Sequence, residues 1–336
     1  MTERASQSQA FLAGAGWGDA ARNVLAGDAS DRSYDRLRHG AATAVLMDAP
    51  PGKGDDPAQF IAIAAHLQSL GLSPPRILAQ DLATGFLLLE DLGDGIFARL
   101  VKADPACEIA LYRAATDVLL HLQAAPAPAD LPDLAAQDWA RAAAFALEWY
   151  RFAITGDRID TATFEACLTE AMQAHADGPR VMILRDYHAE NLLWLPERNG
   201  VARVGLLDFQ LAQMGQPGYD LVSLLQDARR DAPVATESAM IRHFLDMTGG
   251  NASDFARGYA VLGAQRALRI IGVFARLCLV SGKSGYLALL PRVWAQLQRN
   301  LAQPGLEPLA RLCAQLLPEP SPANLDLIGA RCGHFR

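Results

Sequence analysis

The sequence predicts an α+β fold in two parts, a small β-rich part over residues 1–92 and a larger helical part over residues 93–336. Short apolar runs that suit strands, such as 42–47, are concentrated in the first part. From Ile96 onward, alanine- and leucine-rich stretches place apolar residues three and four positions apart, which predicts helices. With 336 residues, of which 51% are hydrophobic, the chain is long enough for two cores.

The composition argues against several classes of protein. No uninterrupted apolar run reaches the roughly eighteen residues that a membrane span needs. The net charge is -7 and no basic cluster is interleaved with aromatic residues, so we expect no nucleic acid as a partner. The five cysteines lack CxxC spacing, so neither a zinc site nor a disulfide framework is indicated. We expect a soluble, cytoplasmic protein that binds a small polar molecule and no membrane.

The first 92 residues alternate between predicted helices and strands. Residues 2–25 hold apolar positions at helical spacing and predict a short helix. The segment 26–37 is small and polar, and its amides and hydroxyls suit a loop folded over phosphates, although an ordinary hairpin turn fits the same composition. The strands and the helix expected after this segment are strand 42–47, helix 57–70, strand 76–78 and strand 85–93.

The segment over 181–210 places three polar residues at the ends of predicted strands. Asp186 and Asn191 stand between two apolar runs, and Asp208 follows a third run after a turn-rich stretch. The second and third runs are expected to pair as a hairpin. Phosphoryl transfer needs one carboxylate that orients the attacking hydroxyl, and an amide and a second carboxylate that hold Mg²⁺. Any one Asp alone would suit a solvated turn, but the set of three favours catalysis.

This arrangement resembles the catalytic segment of the aminoglycoside phosphotransferase and choline kinase family, a branch of the protein-kinase-like fold. The resemblance implies a two-lobed enzyme that uses ATP and Mg²⁺, with a nucleotide-binding lobe over 1–92 and a helical lobe over 93–336. Asp186 matches the catalytic Asp of the family. Asn191 and Asp208 match its metal ligands.

The segment also departs from the family pattern. Gln210 replaces the glycine that other kinases have near this point, which we expect to change loop flexibility more than metal binding. His188 matches one of two usual histidines, whereas Leu184 replaces the other. His188 either contacts the substrate or braces the loop by bonding backbone. Asp220 matches an Asp that caps a helix and hydrogen-bonds back to the catalytic loop, a structural role.

The resemblance also assigns the nucleotide contacts. The polar loop should cradle the phosphates, and the acidic turn after the strand 85–93 should present backbone groups to adenine. The residues named by these two assignments are Gly27, Asp28, Ala29, Ser30, Arg32, Ser33, Glu90 and Leu92.

The lysine and glutamate that kinases pair near the phosphates are both absent. Met47 occupies the lysine position, and the helix 57–70 contains no Glu. Because one remaining partner would be an unpaired charge in a half-buried cleft, the loss of both fits a working variant. Another cation should approach the phosphates, and we favour Arg32 over Lys53, which stands in a flexible turn.

Finer features favour an amino sugar as the acceptor. The stretches GDASDRSY, VLMDAPPGK and GAQRALRIIGVFARL resemble bacterial anomeric kinases that phosphorylate N-acetylmuramate and N-acetylglucosamine at C1 in cell-wall recycling. Arg266, Arg269 and Arg276 suit the anionic lactyl carboxylate, although a charged stripe on a helix is more often a solvated face. The expected substrate contacts are His188 and Arg266. We expect the enzyme to act as a monomer.

Two other functions remain open. The same chemistry would serve an aminoglycoside, choline or homoserine as the acceptor. Met47 suggests a pseudokinase that binds nucleotide without turnover. The presence of Asp186, Asn191 and Asp208 together favours an active enzyme.

Overall fold

The structure is a computed structural model that describes residues 3–25, 32–54 and 56–335. The chain forms two compact units, Met1–Ala125 with Ala189–Ala212, and Pro126–His188 with Gln213–Arg336. This division differs from the expected boundary after residue 92, because the helices that follow residue 92 pack with strands from the 189–212 segment. None of the helices in the described ranges combines the length and the apolar content that a membrane crossing requires.

The strands, in chain order, are β1 Ala21–Leu25, β2 Ser33–His39, β3 Ala42–Asp48, β4 Ile77–Asp81, β5 Phe86–Glu90, β6 Val181–Ile183, β7 Leu192–Trp194, β8 Val204–Leu206 and β9 Gln213–Gly215. The α-helices are α1 Glu3–Gly14, α2 Pro57–Ser69, α3 Phe97–Ala103, α4 Glu108–Ala124, α5 Ala136–Ala143, α6 Phe152–Thr155, α7 Ala162–Ala176, α8 Tyr219–Leu225, α9 Val234–Thr248, α10 Ala252–Ser281, α11 Leu290–Leu301, α12 Glu307–Leu316 and α13 Pro322–Gly329. Apolar residues three and four positions apart over 135–153 predict one continuous helix. In the structure, a π-helix, Ala146–Arg151, separates α5 from α6 within this stretch.

The first unit is built on a five-stranded antiparallel sheet in the order β1-β2-β3-β5-β4. Leu46 lies on β3 two residues from Ala44 and from Asp48, which pair with Leu37 of β2 and Phe86 of β5. Since alternate residues of a strand face the same side, Leu37, Leu46 and Phe86 share one face of the sheet. They form a buried cluster with Leu12 of α1. The guanidinium of Arg4 lies 3.9 Å from the ring centroid of Phe86. Helix α1 therefore covers one face of the sheet.

The short helix predicted within residues 2–25 is α1, but it takes up only the first part of that segment. Gly16 has φ +79, a left-handed conformation that suits the chain reversal after the helix. Strand β1 then pairs with β2 along its whole length, with Leu25 opposite Tyr34. The side chains of β1 are mostly exposed, so the strand carries no apolar alternation that the sequence could reveal.

Strands β7 and β8 pair as the predicted hairpin, with Leu192 opposite Leu206. Backbone hydrogen bonds fix both strands to the rest of the first unit. The Trp194 N–H donates to the Gly95 carbonyl at 2.7 Å, and the Leu206 N–H donates to the Ser73 carbonyl at 2.9 Å. The hairpin is therefore a fixed support for the residues at its two ends.

The 30-residue helix α10 is the centre of the second unit, where it contacts α5, α7, α8, α11 and α13. The Asn251 side chain caps its N-terminus, and Gly282 ends it with φ +67. At Gly272 the helix approaches the backbone of Phe145 so closely that a Cβ would lie 2.2 Å from the carbonyl carbon. A small sheet of β6 and β9 in this unit supports the loop that follows β6.

Candidate active site

The loop that carries Asp186 begins where β6 ends. The Asp186 N–H donates to the Leu184 carbonyl at 2.9 Å. Arg185 between them has φ +72, a region that non-glycine residues rarely adopt. The two carboxylate oxygens of Asp220 accept the N–H groups of Leu184 at 2.6 Å and Arg185 at 2.8 Å. Strained backbone persists only where its surroundings fix it, so Asp220 determines the position of Asp186.

Asp220 lies in the first turn of α8 and is fully buried. The hydrogen bonds to the catalytic loop that the family resemblance implies are confirmed. The capping role is wrong, because Gly218 occupies the N-cap and no side chain caps the helix. Burial raises the pKa of the Asp220 carboxyl to about 6, and the two backbone N–H donors oppose this rise. The catalytic loop thus has an anchor that titrates just below neutral pH.

His188 is buried in the second unit, where its Nε2 lies 3.4 Å from Nη1 of Arg229. Because a guanidinium can only donate, Nε2 accepts in this contact and the ring proton belongs on Nδ1. The pKa of His188 is lowered, mainly by burial. The Asp227 carboxylate opposes this decrease, and the charge of Arg229 adds to it. The imidazole is therefore neutral at pH 7. Its contact with a substrate stays a prediction.

The three arginines of α10 lie in different environments, so they do not form one solvated face. Arg266 is only 6% exposed, and its Nη1 donates to the Arg185 carbonyl at 3.2 Å. Arg269 is half-buried. Arg276 is exposed, with its guanidinium 5.6 Å from the ring centroid of Trp149. Arg276 lies ten residues, about 15 Å, along the helix from Arg266, the arginine that contacts the catalytic loop.

In the first unit, the β7–β8 hairpin brings the two predicted metal ligands together. Asn191 Nδ2 lies 3.5 Å from Asp208 Oδ2, and the Leu207 N–H donates to the Asn191 carbonyl at 2.9 Å. Asp208 has φ +55, so the chain turns sharply after β8. An amide and a carboxylate this close can serve one Mg²⁺, which binds oxygen ligands and completes its shell with water and phosphate. These residues therefore fit a magnesium site.

The two residues after Asp208 fix its carboxylate and its backbone. Gln210 Nε2 donates to Asp208 Oδ1 at 2.9 Å. The ring of Phe209 is fully buried and stacks on Phe60 of α2 at a centroid distance of 4.8 Å. The sequence interpretation related Gln210 to loop flexibility and missed this hydrogen bond. The available signal was a side-chain amide only two residues from the carboxylate.

The structure covers part of the predicted phosphate loop. Gly27, Asp28, Ala29 and Ser30 lie outside the described residues. Arg32 is 4% exposed, and the exposed Ser33 begins β2. The phosphate contacts of this loop therefore remain predictions.

The predicted adenine-binding turn is fixed at both ends. The Glu90 carboxylate accepts from Arg198 at 2.7 Å and from Arg76 at 3.2 Å, and the Glu90 N–H donates to the Arg76 carbonyl. Leu92 packs against Gly205 of β8, where a Cβ would come within 3.1 Å of the leucine Cδ1. The turn is thus joined to the hairpin that carries the metal ligands. Its contact with adenine stays a prediction.

The strand position that carries lysine in kinases belongs to the core here. Met47 is fully buried in β3, opposite Tyr34 of β2 and Leu87 of β5. Lys53, the alternative cation, is exposed in the turn after β3. An apolar environment at Met47 agrees with the absence of a Glu in α2.

Comparison with known proteins assigns the family. The phosphotransferase enzyme family matches residues 22–260, and the chain belongs to this family. An N-acetylmuramate/N-acetylglucosamine kinase from Caulobacter vibrioides is 39% identical over 346 residues, which cover 92% of this chain and 95% of the relative. A kinase of the same description from Pseudomonas aeruginosa is 34% identical, over 90% of this chain and 91% of the relative.

Solved structures share the fold at low sequence identity. A choline/ethanolamine kinase family protein from Mesorhizobium loti superposes with a TM-score of 0.62 at 16% identity, over 97% of this chain and 99% of its own. An aminoglycoside-3'-phosphotransferase of type VIII gives 0.56 at 17% identity, over 81% of this chain and 100% of its own. The predicted α+β, protein-kinase-like fold is confirmed.

Proposed function

We propose that the protein is an ATP-dependent kinase that phosphorylates the anomeric C1 hydroxyl of N-acetylmuramate and N-acetylglucosamine. The observation that carries the proposal is the 39% identity to a kinase of this description over nearly the full length of both chains. The fold alone would not separate this acceptor from choline or an aminoglycoside, because the same fold serves all of them.

In this proposal, the second unit supplies the base. Asp186 accepts the proton of the C1 hydroxyl and orients its oxygen toward the γ-phosphate. A general base has to be held within hydrogen-bond reach of its proton, and the Asp220 contacts to Leu184 and Arg185 supply that rigidity. His188, neutral and buried beside Arg229, is the proposed polar contact for the sugar.

The first unit supplies the metal ligands and the nucleotide contacts. Asn191 and Asp208 would hold Mg²⁺, which neutralises charge on the phosphates of ATP. Gln210 keeps the Asp208 carboxylate in one orientation. The nucleotide-binding lobe over 1–92 would add the phosphate loop and the adenine-binding turn. We place the reaction in peptidoglycan recycling in the cytoplasm, carried out by a monomer.

A coupled assay of ADP release tests the proposal with N-acetylmuramate, N-acetylglucosamine and kanamycin as acceptors. Both amino sugars should support turnover that depends on ATP and Mg²⁺, and kanamycin should not. Phosphorus NMR should then place the product phosphate on C1. Turnover of kanamycin alone, or a phosphate at C6, would contradict the proposed function.

A further inference from the structure

A group of positive charges surrounds the catalytic loop in the second unit, and it consists of Arg185, Arg266 and Arg269. Within the described residues, no carboxylate lies within ion-pair distance of any of the three. Half-buried arginines are usually paired, because burial without a counter-charge is costly. The group is therefore suited to an anionic ligand.

Arg266 has a structural role in this group. Its Nη1 donates to the Arg185 carbonyl at 3.2 Å and lies 3.5 Å from the Tyr219 hydroxyl. Burial disfavours its charge, but Tyr219 and Asp186 outweigh this effect and raise its pKa. Its side chain is only 6% exposed, and these two contacts already fix its guanidinium. Arg266 is thus a positioning residue that connects α10 to the loop.

Arg185 and Arg269 remain accessible. Both are half-buried, and neither guanidinium forms a hydrogen bond, ion pair or ring contact with another described residue. Arg269 lies three residues beyond Arg266 on α10, so the helix presents both on one face. Burial lowers the pKa of Arg185, and the nearby charge of Arg269 lowers it further, while Tyr219 and Asp186 oppose the decrease.

We infer that Arg185 and Arg269 bind the carboxylate of an acidic sugar and thereby select N-acetylmuramate. The inference rests on the proposed function and adds the site of acid recognition. The lactyl carboxylate of N-acetylmuramate is attached at C3, only two ring positions from the reacting C1. An arginine next to Asp186 in the chain is therefore well placed for the carboxylate when the C1 hydroxyl contacts Asp186. Guanidinium groups match a carboxylate with paired, charge-assisted hydrogen bonds.

The other anion that could meet these arginines is the transferred phosphoryl group. The two cases differ in substrate dependence, because the phosphoryl group is common to both sugars and the carboxylate belongs to N-acetylmuramate alone. N-Acetylglucosamine is thus an internal reference. The methyl ester of N-acetylmuramate is a second reference, since it keeps the lactyl group and removes the charge.

The experiment measures kcat/KM for N-acetylmuramate, its methyl ester and N-acetylglucosamine with the wild type, Arg269→Ala, Arg269→Lys and Arg276→Ala. Arg269→Ala should lower the ratio of N-acetylmuramate to N-acetylglucosamine by about 10- to 100-fold, the effect of a lost charge-assisted contact. Arg269→Lys should recover part of the ratio, because charge returns without the paired geometry. Arg276→Ala, on the same helix but exposed, is the matched control and should keep the wild-type ratio.

The methyl ester should behave like N-acetylglucosamine in every variant. A second readout that needs no turnover is the rise in melting temperature with each sugar alone, which should be lost only for N-acetylmuramate in Arg269→Ala. An equal loss with both sugars would assign the arginines to the phosphoryl group and overturn the inference. An unchanged ratio would overturn it as well. A wild type that phosphorylates neither sugar would instead contradict the proposed function, and this inference with it.

Discussion

The carboxylate of Asp220 accepts the N–H of Arg185 at 2.8 Å and so holds that residue in the left-handed conformation that precedes Asp186. When Asp220 is ionised, both of its oxygens accept, one from Leu184 and one from Arg185. Protonation turns one oxygen into a hydroxyl, which is a weaker acceptor for the N–H that faces it. Since the pKa of Asp220 is about 6, this anchor is complete only above that pH.

We predict that kcat falls as the pH drops through about 6, because protonated Asp220 no longer fixes the catalytic loop. Asp220→Asn should lower kcat by about 10- to 100-fold at pH 8, because an amide has one acceptor oxygen and its NH₂ group must face the other N–H donor. The measurement is the pH dependence of kcat for both proteins. An Asn variant with wild-type kcat at pH 8 would rule out the anchoring role.

The stability effect of Asp220 should have the opposite sign. Its pKa in the folded protein lies above the ordinary value of 3.8, so the native state binds the proton more tightly than the unfolded chain. The free energy of unfolding contributed by this group therefore decreases as the pH rises from 3.8 to about 6, and stays constant above that. Urea unfolding of the wild type and Asp220→Asn across this range isolates the contribution, since the variant lacks this titration.

Asp186→Asn should reduce kcat by several orders of magnitude and leave nucleotide binding intact, because the amide keeps the shape but cannot accept the proton. The decisive measurements are single-turnover rates and the Kd for ATP with Mg²⁺. Asp246→Asn, an exposed position on α9, is the control. Near-normal turnover in Asp186→Asn would remove Asp186 from its proposed role.

Asp208→Asn should abolish the Mg²⁺ dependence of nucleotide binding. Asparagine tolerates the φ of +55 at this position, so the change removes the charge without straining the backbone. Asp208→Ala should have the same effect and adds that strain. Calorimetric titration with ATP, in the presence and absence of Mg²⁺, measures this dependence. If Mg²⁺ still tightened ATP binding in both variants, the result would count against the metal site.

The missing lysine leads to a prediction about Arg32. Arg32→Ala should raise the KM for ATP by about 10-fold or more and leave the KM for the sugar nearly unchanged, because a guanidinium can bind two phosphate oxygens. Arg38→Ala, at an exposed position on β2, the strand that follows Arg32, is the control. Melting temperatures should accompany the kinetics because Arg32 is buried. An unaltered KM for ATP would show that another cation meets the phosphates.

Met47→Lys should not restore the usual kinase ion pair. The side chain is fully buried and α2 contains no Glu, so the new ammonium would be buried without a partner. We expect a lower melting temperature and no gain in kcat/KM for ATP. A gain would mean that β3 approaches the nucleotide.

Gly272→Ala should destabilise the second unit by about 3 kcal/mol or more, although alanine is normally worth about 1 kcal/mol over glycine inside a helix. The sign reverses because the added Cβ would lie 2.2 Å from the Phe145 carbonyl carbon. Gly285→Ala is the matched control, since a Cβ there meets nothing within 4 Å. Urea denaturation of both variants checks the prediction, and equal stabilities would contradict the packing.

The sequence was informative wherever the signal was local. The hairpin, Asp208 at its end and the five-residue step from Asp186 to Asn191 all lie within one continuous segment whose apolar runs specify strands. The anchor of the loop was only implied by family resemblance, because Asp220 meets Leu184 across 36 residues and nothing in its neighbourhood specifies that partner.

The division of the chain into its two units could not be predicted either, because it depends on contacts between residues far apart in the sequence. Residues after 92 looked like the start of a helical lobe, because helix periodicity reports which face is buried and not what covers it. In the structure, α3 and α4 pack with the β7–β8 hairpin and the turn before β8, which places them in the first unit. The left-handed φ of Arg185 could not be predicted from the sequence, since it depends on the contact with Asp220, 35 residues away.

Both units are discontinuous in sequence, which determines the order in which they can be completed on the ribosome. Residues 1–125 emerge first, but the Gly95 carbonyl receives its hairpin partner only after residue 194 has been synthesised, and the Ser73 carbonyl only after residue 206. The second unit likewise waits for α10. A nascent chain that stalls before residue 189 therefore exposes an incomplete sheet layer with apolar side chains such as Leu92. Such an intermediate is a ready target for chaperones and proteases, so slow translation through 126–188 should lower the yield of folded enzyme.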